Sequence, residues 1–368
     1  MLLTHRLFLP YASALLGLLS LLAVLCFHFP ELLTSKEFRA VYGEQFARNL
    51  LLVGLVAAFV LGTLAVLRGH GKRVALVGVG SATLAVLLGG TNVQFDAIGK
   101  TPYSLGLDWF LISLFFSALV FVPLEHYLAR RRLSPLRPGW RTDVAYFFIS
   151  HVLVQFILIL VTASTSTIAG LAAFPALKAA IQSLPVWLQF LLAVFAADMA
   201  QALLHRAYHN VPWLWRFHAV HHSSREMDWL AGSRIHFVEI VLTRSAVLLP
   251  LLVLGFSTAA VNAYVIMVGL QAVVAHANLG IRFGWLEYLV VLPRYHHWHH
   301  ARHKDYLDVN YAIHLPLVDA LMGTFKLPKD GSWPEEYGVM KLETVPNGIL
   351  AQHLMPFQGG RKYDDYVA

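Results

Sequence analysis

The sequence has little charge and almost no cysteine. Of its 368 residues only 13% are Asp, Glu, Lys or Arg, while 57% are hydrophobic. That balance excludes an ordinary soluble domain and implies an integral membrane protein. The one cysteine, Cys26, lies within an apolar run, which excludes an internal disulfide framework and a self-contained iron–sulfur centre. No HExxH motif, glycine-rich dinucleotide fingerprint, internal repeat or low-complexity stretch occurs. A net charge of +7 would suit nucleic acid, but the basic residues cluster between apolar segments, as membrane topology requires. No nucleic-acid partner is expected.

Apolar runs are abundant. A helix crosses about 30 Å of hydrocarbon with roughly 20 residues, and Tyr11–Phe29, Asn49–Leu67, Val74–Gly90, Leu107–Leu128, Asp143–Thr165 and Pro185–Leu204 fit that length. The first follows His5 and Arg6 but lacks a small-residue cleavage pattern, so it reads as an anchor. Beyond the sixth run, 205–234 is polar and histidine-rich. Ile240–Phe256 and Ser257–Ala275 then form two apolar arms joined at Gly255, read as a hairpin that enters the membrane and returns. The segment Ala169–Ser183 suits an amphipathic interfacial helix, and a polar tail follows Lys326. The expected fold is all-α: a polytopic membrane helical bundle with a cytoplasmic histidine-rich di-metal site. Its parts are N-terminal transmembrane helices (1–142), a catalytic domain (143–330) and a cytoplasmic C-terminal tail (331–368).

Orientation follows from lysine and arginine in short loops. The loop from Arg130, Arg131 and Arg132 through Arg137 to Arg141 is strongly basic, as is the link Arg68 to Arg73. Placing both in the cytoplasm puts every histidine cluster on that side. The Phe29–Arg48 loop, with Lys36, Arg39 and Arg48, fits this frame least well.

Histidine is the residue in excess. His205 and His209 are four apart; His218, His221 and His222 follow at spacings of three and four; His296, His297, His299 and His300 fall within five positions; and His276 stands alone. Residues three or four apart share a helix face, so each cluster can aim two or three ring nitrogens at one spot, which is metal-ligand geometry. Nine of them (His205, His209, His218, His221, His222, His276, His296, His299 and His300) exceed what one ion can use, and two ions share them comfortably. Imidazole suits iron, copper and zinc. Asp198, seven residues and two turns before His205, lies on the same face and is a candidate to orient a ligand ring.

HRxxH, HxxHH and a second HxxHH, with Trp215-Arg216-Phe217-His218 before His221-His222-Ser223-Ser224, RIHFVE at 234–239 and NYAIHLPLVDALMGTF at 310–325, resemble the sterol desaturase and fatty acid hydroxylase superfamily of membrane di-iron oxygenases. The resemblance runs from about Trp187 to Phe325. It implies that the nine histidines ligate two iron ions and that His297 is a neighbour rather than a ligand. It adds His236 and Asn310 to Asp198 as candidate outer partners. His303 and His314 read as surface or loop residues. The resemblance further implies an O2-dependent oxidoreductase that hydroxylates or desaturates a membrane lipid. Its electrons would come from an external donor, ferredoxin or cytochrome b5 with its reductase. Sterol, acyl chain, carotenoid and aminolipid headgroup all remain open as substrates, with hydroxylation favoured because it needs one hydrogen abstraction. The rival readings are a zinc-dependent membrane hydrolase, which wants HExxH or a general-base carboxylate near the ligands, and a non-enzymatic metal transporter, which would place polar residues midway along its helices.

Overall fold

The computed structural model describes residues 2–34, 43–94, 107–134, 137–153, 175–340 and 345–358. Among them the structure is helical without strands; only isolated bridges pair Ala129 with Leu279 and Ala301 with Tyr337. The chain divides into two compact units, Met1–Phe115 and Phe116–Ala368.

The first unit contains α1 (Leu2–His28), α2 (Glu44–Leu67) and α3 (Lys72–Leu87). Small residues let these helices approach closely, as is usual where no water drives helices together. A Cβ on Gly17 would lie 2.2 Å from the Gly78 carbonyl oxygen, and one on Gly78 would strike Ser13. Ser13 Oγ donates to the Ala58 carbonyl at 2.8 Å. Val24, Leu51, Leu55 and Ala82 form the core, while Leu50, Val53, Val56 and Val60 point outward, as lipid-facing residues do.

Helix α4 (Leu107–Leu128) is continuous over 22 residues, matching the fourth expected span. A helix over 140–153 follows; residues 154–165 of the fifth expected span and 169–174 of the interfacial segment lie outside the described residues. The rest of the second unit holds α5 (Pro175–Ser183), α6 (Val186–Asn210), α7 (Pro212–His218), α8 (Phe237–Val253), α9 (Thr258–His276), α10 (Pro293–His299), α11 (Pro316–Met322) and α12 (Ile349–Leu354). Five described segments are long and apolar enough to cross a membrane: Leu9–His28, Glu44–Leu67, Lys72–Asn92, Val186–Asn210 and Thr258–His276.

The arms of the expected hairpin are α8 and α9, joined at Gly255 with φ +81°. They start where side chains cap them: His236 Nδ1 accepts from Val238 N–H, and Ser257 Oγ accepts from Ala260 N–H. Both arms pack along α6, where Ala193, Val194 and Ala197 meet Val247, Leu251, Tyr264 and Val268. Helix α6 is thus the spine of this unit. It ends at Asn210 because Pro212 biases Val211 toward extended backbone (φ −104°, ψ 113°). Pro212, Pro293 and Pro316 each open a short helix, α7, α10 and α11, where proline's missing N–H has no helical partner to lose. Residues 333–340 and 345–355 pack back onto this unit: Trp333 and Met355 are buried, Gly338 N–H donates to the His300 carbonyl, and Arg302 N–H donates to the Glu336 carbonyl.

Candidate metal centre

The histidines stand at helix ends: His205 and His209 on the last turns of α6, His218 closing α7, His276 closing α9, and His296 and His299 on α10. They converge as two groups. One contains His205, His209, His218, His222 and His299; the other contains His221, His276, His296 and His300. Within each group the candidate ligand atoms lie within 4.8 Å of one another. The partition cuts across the sequence clusters. His221 and His222 belong to different groups, as do His299 and His300, because consecutive residues in a helical turn point about 100° apart. The two groups abut, with His222 and His300 rings stacked at 4.3 Å.

Hydrogen bonds fix which nitrogens face inward. His205, His221, His276 and His299 donate Nδ1–H to the carbonyls of Tyr311 (2.8 Å), Arg234 (3.0 Å), Ala272 (2.8 Å) and Val309 (2.8 Å). A carbonyl only accepts, so each of these rings turns a bare Nε2 lone pair toward its group. His218 Nδ1 lies 2.8 Å from Glu239 Oε1, and His209 Nδ1 lies 3.3 Å from Asp308 Oδ1. Inside, Nε2 of His218 is 3.0 Å from Nε2 of His205 and 3.1 Å from that of His222. His296 Nε2 is 3.0 Å from the Nε2 atoms of both His276 and His300. The Nε2 atoms of His209 and His299 are buried without a hydrogen-bond partner among the described residues. Converging lone pairs repel, and a cation among them turns that repulsion into coordination. Metal–nitrogen bonds of about 2.0–2.1 Å separate ligands at right angles by roughly 3 Å, the spacing found here. The donor set fits a metal ion in each group.

Protonation does not compete near neutral pH. Burial, and then neighbouring histidines, hold His218, His221, His222, His296, His299 and His300 well below the usual imidazole value. Neutral rings are the ligand form.

The outer partners differ from expectation. Asp198 reaches no ring; its carboxylate accepts the backbone N–H groups of Ile313 (2.9 Å), His314 (3.2 Å) and Leu315 (2.7 Å). It therefore holds the segment whose Tyr311 carbonyl orients His205. Asn310 likewise acts on backbone: it sits at φ +60°, and its amide brackets Lys326, donating to the carbonyl and accepting from the N–H, both at 2.8 Å. His236 commits both nitrogens elsewhere, accepting from Val238 N–H and donating to the His353 carbonyl at 3.1 Å. His297 stands in neither group: Nδ1 meets Tyr337 Oη at 2.9 Å and Nε2 meets the His276 carbonyl at 3.2 Å. His303 is exposed, as expected. His314 is not a surface residue but buried, with Nδ1 2.7 Å from Gln271 Oε1, because Asp198 pulls its backbone onto α6.

Three supports escaped the sequence reading. The first two are Glu239, within RIHFVE, and Asp319, within the 310–325 motif. The third is an ionic network in which Arg137 grips Asp228 with two contacts of 2.6 Å and also reaches Asp143, while Asp143 pairs with Arg234. This network pins Arg234, whose carbonyl orients His221. Gly232 completes the packing, since a Cβ there would lie 2.5 Å from His276 Nδ1.

A cavity of about 130 Å³ opens beside both groups, reaching His205, His218, His221, His276 and His296, with Ile235, Ile240, Val268, Ala272 and Ile313 as its apolar wall.

Comparisons with known proteins converge on this unit. The family model for fatty acid hydroxylases matches residues 190–324. An ornithine lipid hydroxylase of Rhizobium tropici is 31% identical over 182 residues, 48% of this chain and 53% of that protein. Alkylglycerol monooxygenases of Xenopus tropicalis and Homo sapiens are 28% and 27% identical over 144 and 134 residues, covering 39% and 36% of this chain and 31% and 30% of theirs. The chain thus spans about half the length of the first of these relatives and about a third of the others. No solved structure matches it. Residues 190–324 thus match the fatty acid hydroxylase family, and over part of its length the chain is similar to an ornithine lipid hydroxylase and to alkylglycerol monooxygenases.

Proposed function

We propose that this chain is a membrane-bound, O2-dependent lipid hydroxylase whose nine histidines hold two iron ions. The observation that carries the reading is the inward convergence of Nε2 lone pairs from His205, His221, His276 and His299, each fixed by a carbonyl behind it, beside a cavity with an apolar wall. The relatives named hydroxylase and monooxygenase support the reaction type. Bound iron would supply O2 activation and the one-electron chemistry that a strong C–H bond demands. The protein's own contribution is to orient the rings, keep them neutral and exclude water. In the overall change one oxygen atom enters a C–H bond and the other leaves as water, which consumes two electrons and two protons. An external donor, ferredoxin or cytochrome b5 with its reductase, supplies the electrons. The cavity wall drawn from α6, α8 and α9 gives a lipid a water-poor approach from the bilayer.

Reconstitution in nanodiscs with a lipid extract, electron donor and ¹⁸O₂ tests this. Turnover is expected to need oxygen and reductant and to place ¹⁸O in a product hydroxyl, with about two irons per chain. An unlabelled double bond would assign desaturation instead, and lipid turnover without oxygen would return the zinc hydrolase to first place.

The metal site faces the cytoplasm in this reading, because the Arg130 to Arg141 loop sets the frame. A reporter fused after Phe325 is expected to read cytoplasmic; a signal from the opposite compartment overturns the orientation.

A further inference from the structure

The cavity beside the histidines contains a cation that metal binding does not use. Arg244 lines it from α8, together with Thr243 and with Ile240 one turn earlier. Glu239, which holds His218, lies five residues before Arg244, about 7.5 Å along the helix axis. Of the nearby carboxylates, Asp198 is engaged by the backbone at 313–315, and Glu239 holds His218 through Oε1 and makes no ion pair with Arg244 among the described residues. Among the described residues no hydrogen bond or ion pair satisfies the guanidinium; its electrostatic neighbours are the neutral Tyr264 and His314. Gln201 and His314 add polar groups to the same wall. An uncompensated guanidinium between apolar helices is costly, and such a group marks a ligand path more often than a structural contact.

We infer that Arg244 binds an oxyanion, a carboxylate or phosphate, on the headgroup of the lipid substrate and so determines which carbon lies against the histidine groups. This rests on the lipid-hydroxylase reading above and narrows its substrate class to anionic or zwitterionic lipids. A guanidinium offers two parallel N–H donors to two oxygens of one acid group. A headgroup held there shares one cavity with His205, His218, His221, His276 and His296. Oxidation then falls on the headgroup or the first few carbons next to it, not far along an acyl chain. A neutral headgroup would leave the charge unmatched.

Equilibrium binding tests the inference without relying on turnover. Full-length protein in phosphatidylcholine nanodiscs is titrated with N-palmitoylglycine, with its methyl ester and with hexadecyl phosphate, without oxygen or reductant. Wild type is expected to bind the free acid at least about tenfold more tightly than the ester, the weight of one charge-assisted hydrogen bond. Arg244→Gln should bind acid and ester alike while keeping its metal content, and Arg244→Lys should keep part of the preference. Tighter binding of the phosphate than of the acylglycine identifies phosphate as the oxyanion; the reverse identifies carboxylate. Equal binding of acid and ester by wild type overturns the inference, as does a preference that survives in Arg244→Gln. Absence of oxygenation by wild type would instead count against the reaction proposed above, because binding is read separately.

Discussion

Replacing His299 with alanine is expected to remove the metal from its group and lower lipid oxidation by more than about 100-fold. His299 Nε2 is buried, has no hydrogen-bond partner among the described residues and lies in the group with His205, His209, His218 and His222, while its Nδ1 is held by the Val309 carbonyl. Loss of an outer partner of a metal-binding histidine alone costs about 10–100-fold in affinity or activity, so loss of the ligand itself costs more. The other four imidazoles keep their places, so the fold survives while the metal, one ligand short, is lost. His221→Ala is expected to act the same way on the second group. His303→Ala is the control, because its side chain is exposed and belongs to neither group. Metal analysis alongside turnover decides the matter. Equal losses in the His303 and His299 variants would refute the ligand assignment.

Asp319→Ala is expected to destabilise the second unit by at least about 3 kcal/mol. The buried carboxylate accepts Tyr311 N–H (2.8 Å), Ala312 N–H (2.7 Å), Tyr295 Oη–H (2.8 Å) and Thr324 Oγ1–H (2.7 Å). Alanine strands four buried donors, each costing about 1–3 kcal/mol when water cannot reach it, and partial relaxation accounts for the modest total. Because the Tyr311 carbonyl orients His205, metal retention should fall together with stability. Thermal unfolding of the nanodisc-embedded variant measures the first effect and metal content the second. Wild-type stability and full metal loading in Asp319→Ala would show that the 311–315 segment is held by other means.

Much of the site was legible in the sequence because imidazole spacing is a local property. Two histidines four apart on one helix must share a face whatever the helix packs against, which is why His205 with His209 and His296 with His300 could be read together. The same holds for the long apolar runs, since membrane-spanning length depends on the number of residues and not on their neighbours. Hairpin arms were located to within a few residues, their starts shifted by the caps at His236 and Ser257.

Composition and spacing are enough to make the chain helical and membrane-embedded, to place its chemistry in histidine, and to supply enough imidazoles for two metal ions. The tertiary structure alone decided how those imidazoles divide. Adjacent residues such as His221 and His222 point to different groups, one group drawing on segments as distant as His205 and His299 and the other on segments as distant as His221 and His300. It also decided that Asp198 and Asn310 act on backbone rather than on rings, that Asp319 ties the 311–312 backbone to Tyr295 and Thr324, and that Glu239 and Arg244 face the cavity with the histidines. The physical reason is the same in each case. A hydrogen bond or a metal site is specified by the meeting of atoms from separate segments, and where segments meet is set by packing along α6, which no local spacing encodes.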